Sequence, residues 1–153
     1  MRKSIAAVIT AGFLSLGAFA PSALAKTAAP SGDVDTKVTH CNKVWPEANK
    51  GYVYAYDRTD CKGYVGKSKR DDAKYSRTSN NKATSVLNKG TGRYDTVVFY
   101  DGANYTGGEA CLKRGEKFAD DLRDNKLSNG QKANNQFSSH RWVHDTVRCN
   151  ALT

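Results

Sequence analysis

The amino-acid sequence predicts a small all-β domain that is cross-linked by disulfides and contains an internal repeat. Short runs rich in tyrosine and valine alternate with clusters of glycine, asparagine and aspartate, which is typical of short strands joined by turns. The hexapeptide NNKATS at residues 80–85 returns in similar form as NNQFSS at residues 134–139. All four cysteines lie after residue 40. The repeat indicates that the domain consists of two related halves.

The first 25 residues have the features of a secretory signal peptide. Arg2 and Lys3 precede an apolar run over residues 5–20, and the small residues at 23–25 form a cleavage site. The run is too short for a membrane span, and no stop-transfer pattern follows it. We therefore predict a secreted, extracellular protein without a membrane span.

The following segment, residues 26–40, is polar, rich in small side chains and without periodicity, and we interpret it as a flexible leader. The predicted domain then extends over residues 41–153. Its clearest strand-like runs are GYVYAY, TSVLN, DTVVFY and SHRWVHDTV. Phe118, Ala119 and Leu122 have helical spacing, which predicts one short helical turn.

The repeat is longer than the hexapeptide alone. In each half, a tyrosine at the end of a strand-like run is followed seven positions later by glycine, first as Tyr56 and Gly63 and then as Tyr100 and Gly107. One copy of the hexapeptide follows each of these pairs. Two blocks with the same internal order are hard to produce by chance, so the repeat predicts two similar supersecondary units.

Four cysteines in an exported chain predict two disulfides, because such a chain meets an oxidising environment. Four cysteines permit three pairings. We favour Cys41–Cys61 and Cys111–Cys149, each of which would stabilise the fold by roughly 3 kcal/mol. Free thiols or a metal site are the alternative, although the sequence contains no Cys-x-x-Cys pair.

The formal net charge of +9 stays positive when Arg2 and Lys3 are removed with the signal peptide. The basic residues are scattered, and GKSKR at residues 66–70 is the densest run. A basic secreted protein is attracted to anionic cell-wall polymers or acidic partners, although such a balance more often secures solubility only. Acidic residues interrupt the segments where basic residues and tyrosines meet, so we expect no nucleic-acid partner.

The two halves resemble the Greek-key motifs of βγ-crystallins. An aromatic residue, six further residues, glycine and later Asn/Asp-Asn/Asp-x-x-Ser/Thr-Ser form the double signature of that superfamily, and the resemblance covers residues 51–143. The stretches VVFYDGANYTGGEACL and SSHRW are similar to secreted bacterial members, which include crystallin-like metalloproteinase inhibitors and killer-toxin-like proteins. The resemblance implies a disulfide-stapled, βγ-crystallin-type sandwich of two Greek-key motifs, at about residues 51–90 and 95–145.

The resemblance also implies how each half folds. Gly63 and Gly107 would accept a positive φ angle without steric cost. The rings of Tyr56 and Tyr100 would cover the bare glycine backbone. The last serine of each hexapeptide would hydrogen-bond to the folded hairpin.

In this family the paired hexapeptides form two calcium sites. Carried over by position, the first site would use the Lys82 carbonyl, the Thr84 hydroxyl and an asparagine side chain, completed by the Asp101 carbonyl. The second would use the Gln136 carbonyl and the Ser138 hydroxyl, completed by Asp57. The predicted set comprises Asn80, Asn81, Lys82, Thr84, Ser85, Asp101, Asn134, Asn135, Gln136, Ser138, Ser139 and Asp57.

Carbonyl, amide and hydroxyl oxygens all suit calcium, which takes 6–8 oxygen ligands. Neither hexapeptide contains a carboxylate, and ligand charge is a main determinant of calcium affinity. We therefore expect dissociation constants on the order of 10⁻⁴ to 10⁻³ M. The alternative is that the asparagine and serine side chains only satisfy backbone groups of the loops, without an ion.

The resemblance implies a peptidase inhibitor with a secreted metalloproteinase as its partner. An inhibitory loop must be rigid, exposed and held near a disulfide, because pre-organisation lowers the cost of binding. One candidate is the segment around Cys111 and Leu112, since a thermolysin-like enzyme would favour the bulky Leu112 after the cleaved bond. The other is residues 122–133, where Asn129-Gly130 is a strong turn signal.

Other functions stay open at this point. A killer-toxin-like or cell-surface-binding protein is one alternative, and a structural or stress-related calcium-binding crystallin is another. No convergent set of acid, base and nucleophile is visible, so we do not expect an enzyme. We expect the chain to be a monomer.

Overall fold

The computed structural model describes residues 39–113, 115–145 and 147–153. The predicted signal peptide and most of the predicted leader lie outside the described residues. Thr39 and His40, the last two residues of the predicted leader, form the start of a helix. This helix, α1, runs from His40 to Glu47, and Thr39 Oγ1 caps it by accepting a hydrogen bond from the Asn42 amide at 3.3 Å.

Helix α1 is an element that the sequence analysis did not predict. It contains Pro46 and has neither an acidic residue in its first turn nor a basic residue in its last turn, so the usual helix signals are weak. Contacts with the rest of the chain hold it in place. Cys41 is fully buried in a disulfide with Cys61, and the Trp45 Nε1–H donates to the Asn88 carbonyl at 3.2 Å. The helix is therefore stabilised by tertiary contacts rather than by local propensity.

In the described residues, seven strands form two antiparallel sheets. Their order is β2-β1-β3-β6 in the first sheet and β5-β4-β7 in the second. The strands are β1 (Val53–Arg58), β2 (Lys62–Ser68), β3 (Ser85–Asn88), β4 (Tyr94–Tyr100), β5 (Glu109–Leu112), β6 (Phe118–Ala119) and β7 (Ser139–His144). A single turn of 3-10 helix occurs at Leu122–Asp124, and Ala103–Tyr105 form an irregular turn in which Asn104 and Tyr105 have φ angles of +58° and +61°.

The two halves of the domain exchange edge segments. Strand β6 belongs to the second half but pairs with β3 in the first sheet. In return, Asp72 of the first half bridges to His140 of β7, and the two residues exchange backbone hydrogen bonds of 2.9 and 3.0 Å. Each sheet is therefore completed by a segment of the other half.

The core lies between the sheets. Phe99 of β4 stacks on Phe137 with ring centroids 4.5 Å apart, and both rings are buried. Burying one such aromatic side chain stabilises the fold by roughly 1.5–3 kcal/mol. The other large side chains that are almost completely buried are Leu87, Leu112, Leu122, Leu127, Leu152, Val86, Val97 and Val98.

The two-sheet architecture confirms the predicted all-β fold. The four strand-like runs correspond to β1, β3, β4 and β7. The predicted helical turn is found only in part, because Phe118 and Ala119 form β6 while Leu122 begins a 3-10 turn. The favoured disulfide pairing, Cys41–Cys61 and Cys111–Cys149, is confirmed. Among the described residues, no helix is long and apolar enough to cross a membrane.

Candidate functional site

Each half contains a hairpin that folds back on itself and is held by the last serine of its hexapeptide. The serine hydroxyl donates to one hairpin carbonyl and accepts from one hairpin amide, as the resemblance implied. The partners are Arg58 O (2.7 Å) and Cys61 N (3.0 Å) for Ser85, and Gly102 O (2.7 Å) and Tyr105 N (3.1 Å) for Ser139. Both serines are fully buried, so each hydroxyl replaces water for two backbone groups.

Each folded hairpin requires glycine because an aspartate carboxylate lies against it. Gly63 and Gly107 have φ angles of +66° and +85°. A Cβ atom on Gly63 would collide with Oδ1 of Asp57, and one on Gly107 would collide with Oδ1 of Asp101. Both steric space and backbone conformation therefore exclude larger residues at these two positions.

The aspartates lie on the side of each glycine that a Cβ atom would occupy. The tyrosines that precede them, Tyr56 and Tyr100, are buried, and the covering of the glycines by their rings stays a prediction. The Tyr56 ring is buried and packs edge-on against Tyr64, with 6.3 Å between centroids. Burial, together with the neighbouring Tyr54 and Tyr64, raises the pKa of Tyr56 to about 12.

The two hexapeptides meet and pair with each other through equivalent contacts. Their second asparagines, Asn81 and Asn135, have φ angles of +54° and +57°, which asparagine tolerates better than most residues. The amide of each donates to the opposite hexapeptide. The cross-loop contacts are Asn81 N to Phe137 O (3.0 Å), Asn135 N to Ala83 O (2.8 Å), Ser138 Oγ to Asn81 Oδ1 (3.2 Å) and Thr84 Oγ1 to Asn135 Oδ1 (3.4 Å).

The contacts also locate the two aspartates that were predicted to complete the calcium sites. The Thr84 amide donates to the carbonyl of Tyr56, the residue before Asp57, at 2.7 Å. The Ser138 amide donates to the carbonyl of Tyr100, the residue before Asp101, at 2.8 Å. Asp57 therefore lies beside Thr84, and Asp101 lies beside Ser138. The prediction had assigned them to the opposite loops, because the sequence does not show which half of a sandwich supplies each neighbour.

The remaining predicted ligands lie around these cross-loop pairs. Lys82 is exposed and Gln136 is half-buried. Asn80 is half-buried, and its amide donates to the Ser76 carbonyl at 2.8 Å. Asn134 Oδ1 is buried without a hydrogen-bond partner among the described residues. A buried oxygen of this kind usually has an ion or a water as its partner.

The donor set fits calcium, although it supplies little charge. A hydroxyl and an amide oxygen from opposite hexapeptides converge in each pair, and both are calcium ligands. The Asp101 carboxylate is already used, since it accepts from the Gly108 amide and the Asn129 side chain at 2.8 Å each. In the described part of the chain, no three His, Cys, Asp or Glu side chains gather into a metal site.

The first candidate for the inhibitory contact, Cys111 and Leu112, is contradicted by the structure. Both residues lie in β5, opposite Val98 and Val97 of β4, and both are 0% exposed. Leu112 belongs to the core between the sheets. The folded chain therefore does not present this bond to an enzyme.

The second candidate, residues 122–133, combines buried anchors with an exposed turn. Leu122, Leu127 and Ala133 are at most 1% exposed, whereas Lys126 and residues 128–132 are exposed. We call residues 126–132 the 126–132 turn. Its backbone is closed by hydrogen bonds from Leu127 N to Gln131 O (2.8 Å) and from Gly130 N to Leu127 O (2.9 Å).

The 126–132 turn is also fastened to the rest of the second half. The Ser128 amide donates to the Glu109 carbonyl (2.8 Å), and Ser128 Oγ accepts from the Glu109 amide (3.0 Å). Asn129 Nδ2 donates to the Asp101 carboxylate, and Asn129 Oδ1 accepts from the Gln131 amide (3.1 Å). The turn is therefore rigid although it is exposed.

A disulfide supports the turn from behind. Cys111 bonds Cys149, and the segment after Cys149 returns along β5, where the Leu152 amide donates to the Cys111 carbonyl at 2.8 Å. The Asn125 side chain then links the two segments, because it accepts from the Thr153 amide at 2.9 Å and donates to the Thr153 carbonyl at 3.2 Å. The Cys111–Cys149 disulfide thus holds the base of residues 122–133.

A buried histidine joins the two halves. His140 is 2% exposed, and its Nε2 lies 3.0 Å from the Arg70 carbonyl, which must accept. In the neutral ring, Nδ1 then accepts from the Tyr75 hydroxyl at 2.7 Å. Burial lowers the pKa of His140, and burial also raises the pKa of Tyr75.

Comparison with known proteins identifies the same architecture. A family model described as peptidase inhibitor family I36 matches residues 43–112. A solved structure described under the evolution of the eye-lens βγ-crystallin domain fold is 18% identical, covers 63% of this chain and 89% of its own, and has a TM-score of 0.50. No curated protein sequence matches the chain significantly.

Two further solved structures are more distant by TM-score. A βγ-crystallin from an archaeon is 22% identical and covers 62% of this chain and 100% of its own, with a TM-score of 0.45. IPSE/alpha-1 from Schistosoma mansoni eggs is 23% identical and covers 66% of this chain and 95% of its own, with a TM-score of 0.48. At these identities a structural likeness concerns the fold alone.

The chain has the βγ-crystallin fold: two related halves, each with a glycine-dependent folded hairpin and a hexapeptide loop. Within this fold, residues 43–112 match the model of peptidase inhibitor family I36. The match supports a role as a peptidase inhibitor. The matched range ends at β5, so residues 122–133 lie outside it.

Proposed function

We propose that the chain is a secreted inhibitor of a peptidase, with a metalloproteinase as the first class to test, and that the 126–132 turn contacts the enzyme. The observation that carries this proposal is a turn that is exposed and yet fixed by hydrogen bonds along its whole length. The two disulfides are consistent with an extracellular location.

A rigid turn binds more tightly than a flexible one, because ordering a flexible loop on binding costs free energy. The side chains of Ser128 and Asn129 are occupied by bonds to the domain, which leaves Lys126, Gln131 and Lys132 as the side chains available to a partner. The nearest bulky apolar residue, Leu127, is 1% exposed. Recognition would therefore rest on basic and polar side chains and on the exposed backbone near Gly130.

The direct test measures inhibition constants of the oxidised protein against a panel of secreted metallo- and serine peptidases. The variant Gln131→Ala/Lys132→Ala removes two outward side chains without touching the bonds that close the turn. We expect its inhibition constant to rise about tenfold, since central interface residues contribute more than 1 kcal/mol each. Lys74→Ala is the matched control, because Lys74 is an exposed lysine of the first half.

The outcomes separate two claims. Inhibition that is equally strong in both variants would exclude the 126–132 turn as the contact, while leaving the chain an inhibitor. A wild-type protein that inhibits no peptidase of the panel would refute the inhibitor proposal itself.

Calcium is the second part of the proposal. Each cross-loop pair would hold one ion through the hydroxyl of Thr84 or Ser138, the amide oxygen of Asn135 or Asn81 and nearby backbone carbonyls. The positive charge of the ion would attract oxygen atoms of both hexapeptides and would so stabilise the contact between them. Its role would be structural, because the loops lie where the two halves meet.

A further inference from the structure

Two neighbouring clefts flank the segment that connects the two halves. The first has a volume of about 480 Å³ and the second about 510 Å³. Gly90 and Thr91 line both, so the clefts form one continuous surface. We call this surface the basic cleft, and we define it by the residues Trp45, Lys69, Arg70, Lys89, Tyr94, Lys117 and Trp142.

One end of the basic cleft gathers ammonium groups around helix α1. Lys89 Nζ lies 3.1 Å from the centroid of the Trp45 ring and donates to the Trp45 carbonyl at 2.8 Å. Lys117 Nζ lies 4.9 Å from the same centroid. Burial, together with the charges of Lys50 and Lys117, lowers the pKa of Lys89. The cations at this end are therefore close enough to repel one another.

The other end combines cations with aromatic surface. Lys69 and Arg70 are exposed, and the Tyr94 side chain is 61% exposed. Trp142 is half-buried and lines the same cleft. Amphipathic rings beside charged groups are typical of sites that bind a ligand with both polar and apolar faces.

Three carboxylates line the basic cleft, but they do not pair with its cations. Asp71 Oδ1 accepts from the Trp142 amide at 2.8 Å, and Glu116 Oε2 accepts from the Lys113 amide at 2.6 Å. Asp95 lies in the wall and is 6% exposed. Among the described residues, none of the cleft cations forms an ion pair with a carboxylate; these cations are Lys69, Arg70, Lys89 and Lys117.

We propose that the basic cleft binds an anionic polysaccharide, that is, a glycan chain that carries carboxylate or phosphate groups. Each of the two ends combines cations with aromatic rings, and the small residues Gly90 and Thr91 lie between the ends. This arrangement suits charges that are separated by neutral sugar surface, which the rings of Tyr94 and Trp142 can cover. Charge-assisted hydrogen bonds from lysine and arginine would hold the anionic groups.

Nucleic acid fits this surface less well. Duplex DNA carries one charge about every 1.7 Å along its axis, which favours a continuous basic surface. The carboxylates of Asp71, Asp95 and Glu116 interrupt the walls of the basic cleft. No residue of the 126–132 turn lines either cleft, so glycan binding and peptidase contact would use separate surfaces.

The test uses intrinsic fluorescence, because the two tryptophans of the chain, Trp45 and Trp142, both line the basic cleft. The oxidised protein is titrated at constant ionic strength with oligogalacturonate as the carboxylate probe and with phosphomannan as the phosphate probe. Maltohexaose is the neutral control, and duplex DNA is the nucleic-acid control. We expect a saturable change with at least one anionic glycan and none with maltohexaose.

Two charge-matched variants decide whether the site is the basic cleft. Lys69→Gln/Lys117→Gln removes one exposed cation from each end, and we expect the dissociation constant for the glycan to rise about tenfold. Lys126→Gln/Lys132→Gln removes the same charge from the 126–132 turn and should change it less than about twofold. Thermal melting of each variant verifies that the fold is retained.

Each other result overturns the proposal. Equal weakening by the two variants would show attraction to net charge instead of a site. If maltohexaose produced the same fluorescence change as the anionic glycans, the cations would not contribute to binding. If duplex DNA bound as tightly as the glycan, the surface would bind polyanions in general. A flat titration with both anionic glycans would exclude the basic cleft as their site.

Discussion

At the scale of single residues, the buried hydroxyl of Ser139 supports two backbone groups of the second folded hairpin. Replacing it with alanine leaves a buried carbonyl and a buried amide without partners, which costs about 1–3 kcal/mol. We expect Ser139→Ala to lower the free energy of unfolding by that amount in urea denaturation. Ser79→Ala is the control, because the half-buried Ser79 hydroxyl bonds only to Ser76 in the same turn, and it should lower the free energy of unfolding by less than Ser139→Ala. Equal effects would mean that the hairpin does not depend on this hydroxyl.

His140 is the residue from which we predict a pH dependence of stability. Its pKa is lowered from 6.5, mainly by burial, although the Arg70 carbonyl and the charges of Asp71 and Asp72 act in the opposite direction. The unfolded chain therefore binds a proton more readily than the folded chain. Stability should be complete above about pH 6.5 and should fall as the pH decreases below it, by up to about 1.4 kcal/mol per pH unit.

The measurement is the free energy of unfolding between pH 7 and pH 5, where the carboxylates still contribute little. His140→Gln removes the titrating group, so its stability should be lower overall but flatter across this window. A wild-type slope that persists in His140→Gln would assign the pH dependence to another group.

At the scale of elements, the folded hairpins depend on glycine for a steric reason as well as a conformational one. Gly107 has φ of +85° and faces the Asp101 carboxylate, so Gly107→Ala should cost more than 1 kcal/mol in unfolding free energy. Gly66→Ala in β2 is the control, since nothing lies within 4 Å of the position of its Cβ atom. We expect Gly66→Ala to be neutral or slightly stabilising. Similar losses in both variants would contradict the steric argument.

The two disulfides are predicted to differ in their effect on inhibition. Cys41–Cys61 closes a separation of 20 residues and Cys111–Cys149 one of 38, which corresponds to about 3 and about 4 kcal/mol of stabilisation. Only the second holds the base of residues 122–133. Cys111→Ser/Cys149→Ser should therefore weaken inhibition of a target peptidase more than Cys41→Ser/Cys61→Ser, when both variants are assayed below their melting temperatures. If Cys41→Ser/Cys61→Ser weakened inhibition more, the 126–132 turn would not depend on the segment after Cys149.

Some elements could be predicted from the sequence because their signals are local. The strands β1, β3, β4 and β7 show alternation or tyrosine-valine runs, and the folded hairpins show a tyrosine-to-glycine spacing that occurs twice. Helix α1 could not be predicted, since its stability comes from Cys41 and Trp45 contacts that are distant in sequence. The burial of Leu112 was equally hidden, because a short apolar run does not show whether it lies in a strand or a loop.

At the scale of the whole molecule, the exchange of edge segments decides which residues of the two halves become neighbours. The repeat predicts two similar units, but it does not show that β6 pairs with β3 or that Asp72 pairs with His140. The positions of Asp57 beside Thr84 and of Asp101 beside Ser138 could not be predicted for this reason. The basic cleft was missed for the same reason, since it joins helix α1 to both halves.

The exchange of contacts between the hexapeptides leads to a calcium prediction for the molecule as a whole. If each cross-loop pair holds an ion, calcium should stabilise both halves together. At 10 mM calcium and a dissociation constant of about 1 mM, each site adds about 1.4 kcal/mol, which raises the melting temperature by several degrees. Magnesium at the same ionic strength should have a smaller effect, because it requires shorter and more regular coordination.

The cross-loop geometry makes the calcium prediction specific. Asn135 would serve the site at Thr84, and Asn81 the site at Ser138. Asn81→Gly and Asn135→Gly remove one side-chain ligand each while keeping a residue that tolerates positive φ. Calorimetric titration should then find two ions in the wild type, one in each single variant and none in the double variant. If calcium produces no heat and no shift in melting temperature in the wild type, the loops act without an ion, and their asparagines serve only the contacts between the halves.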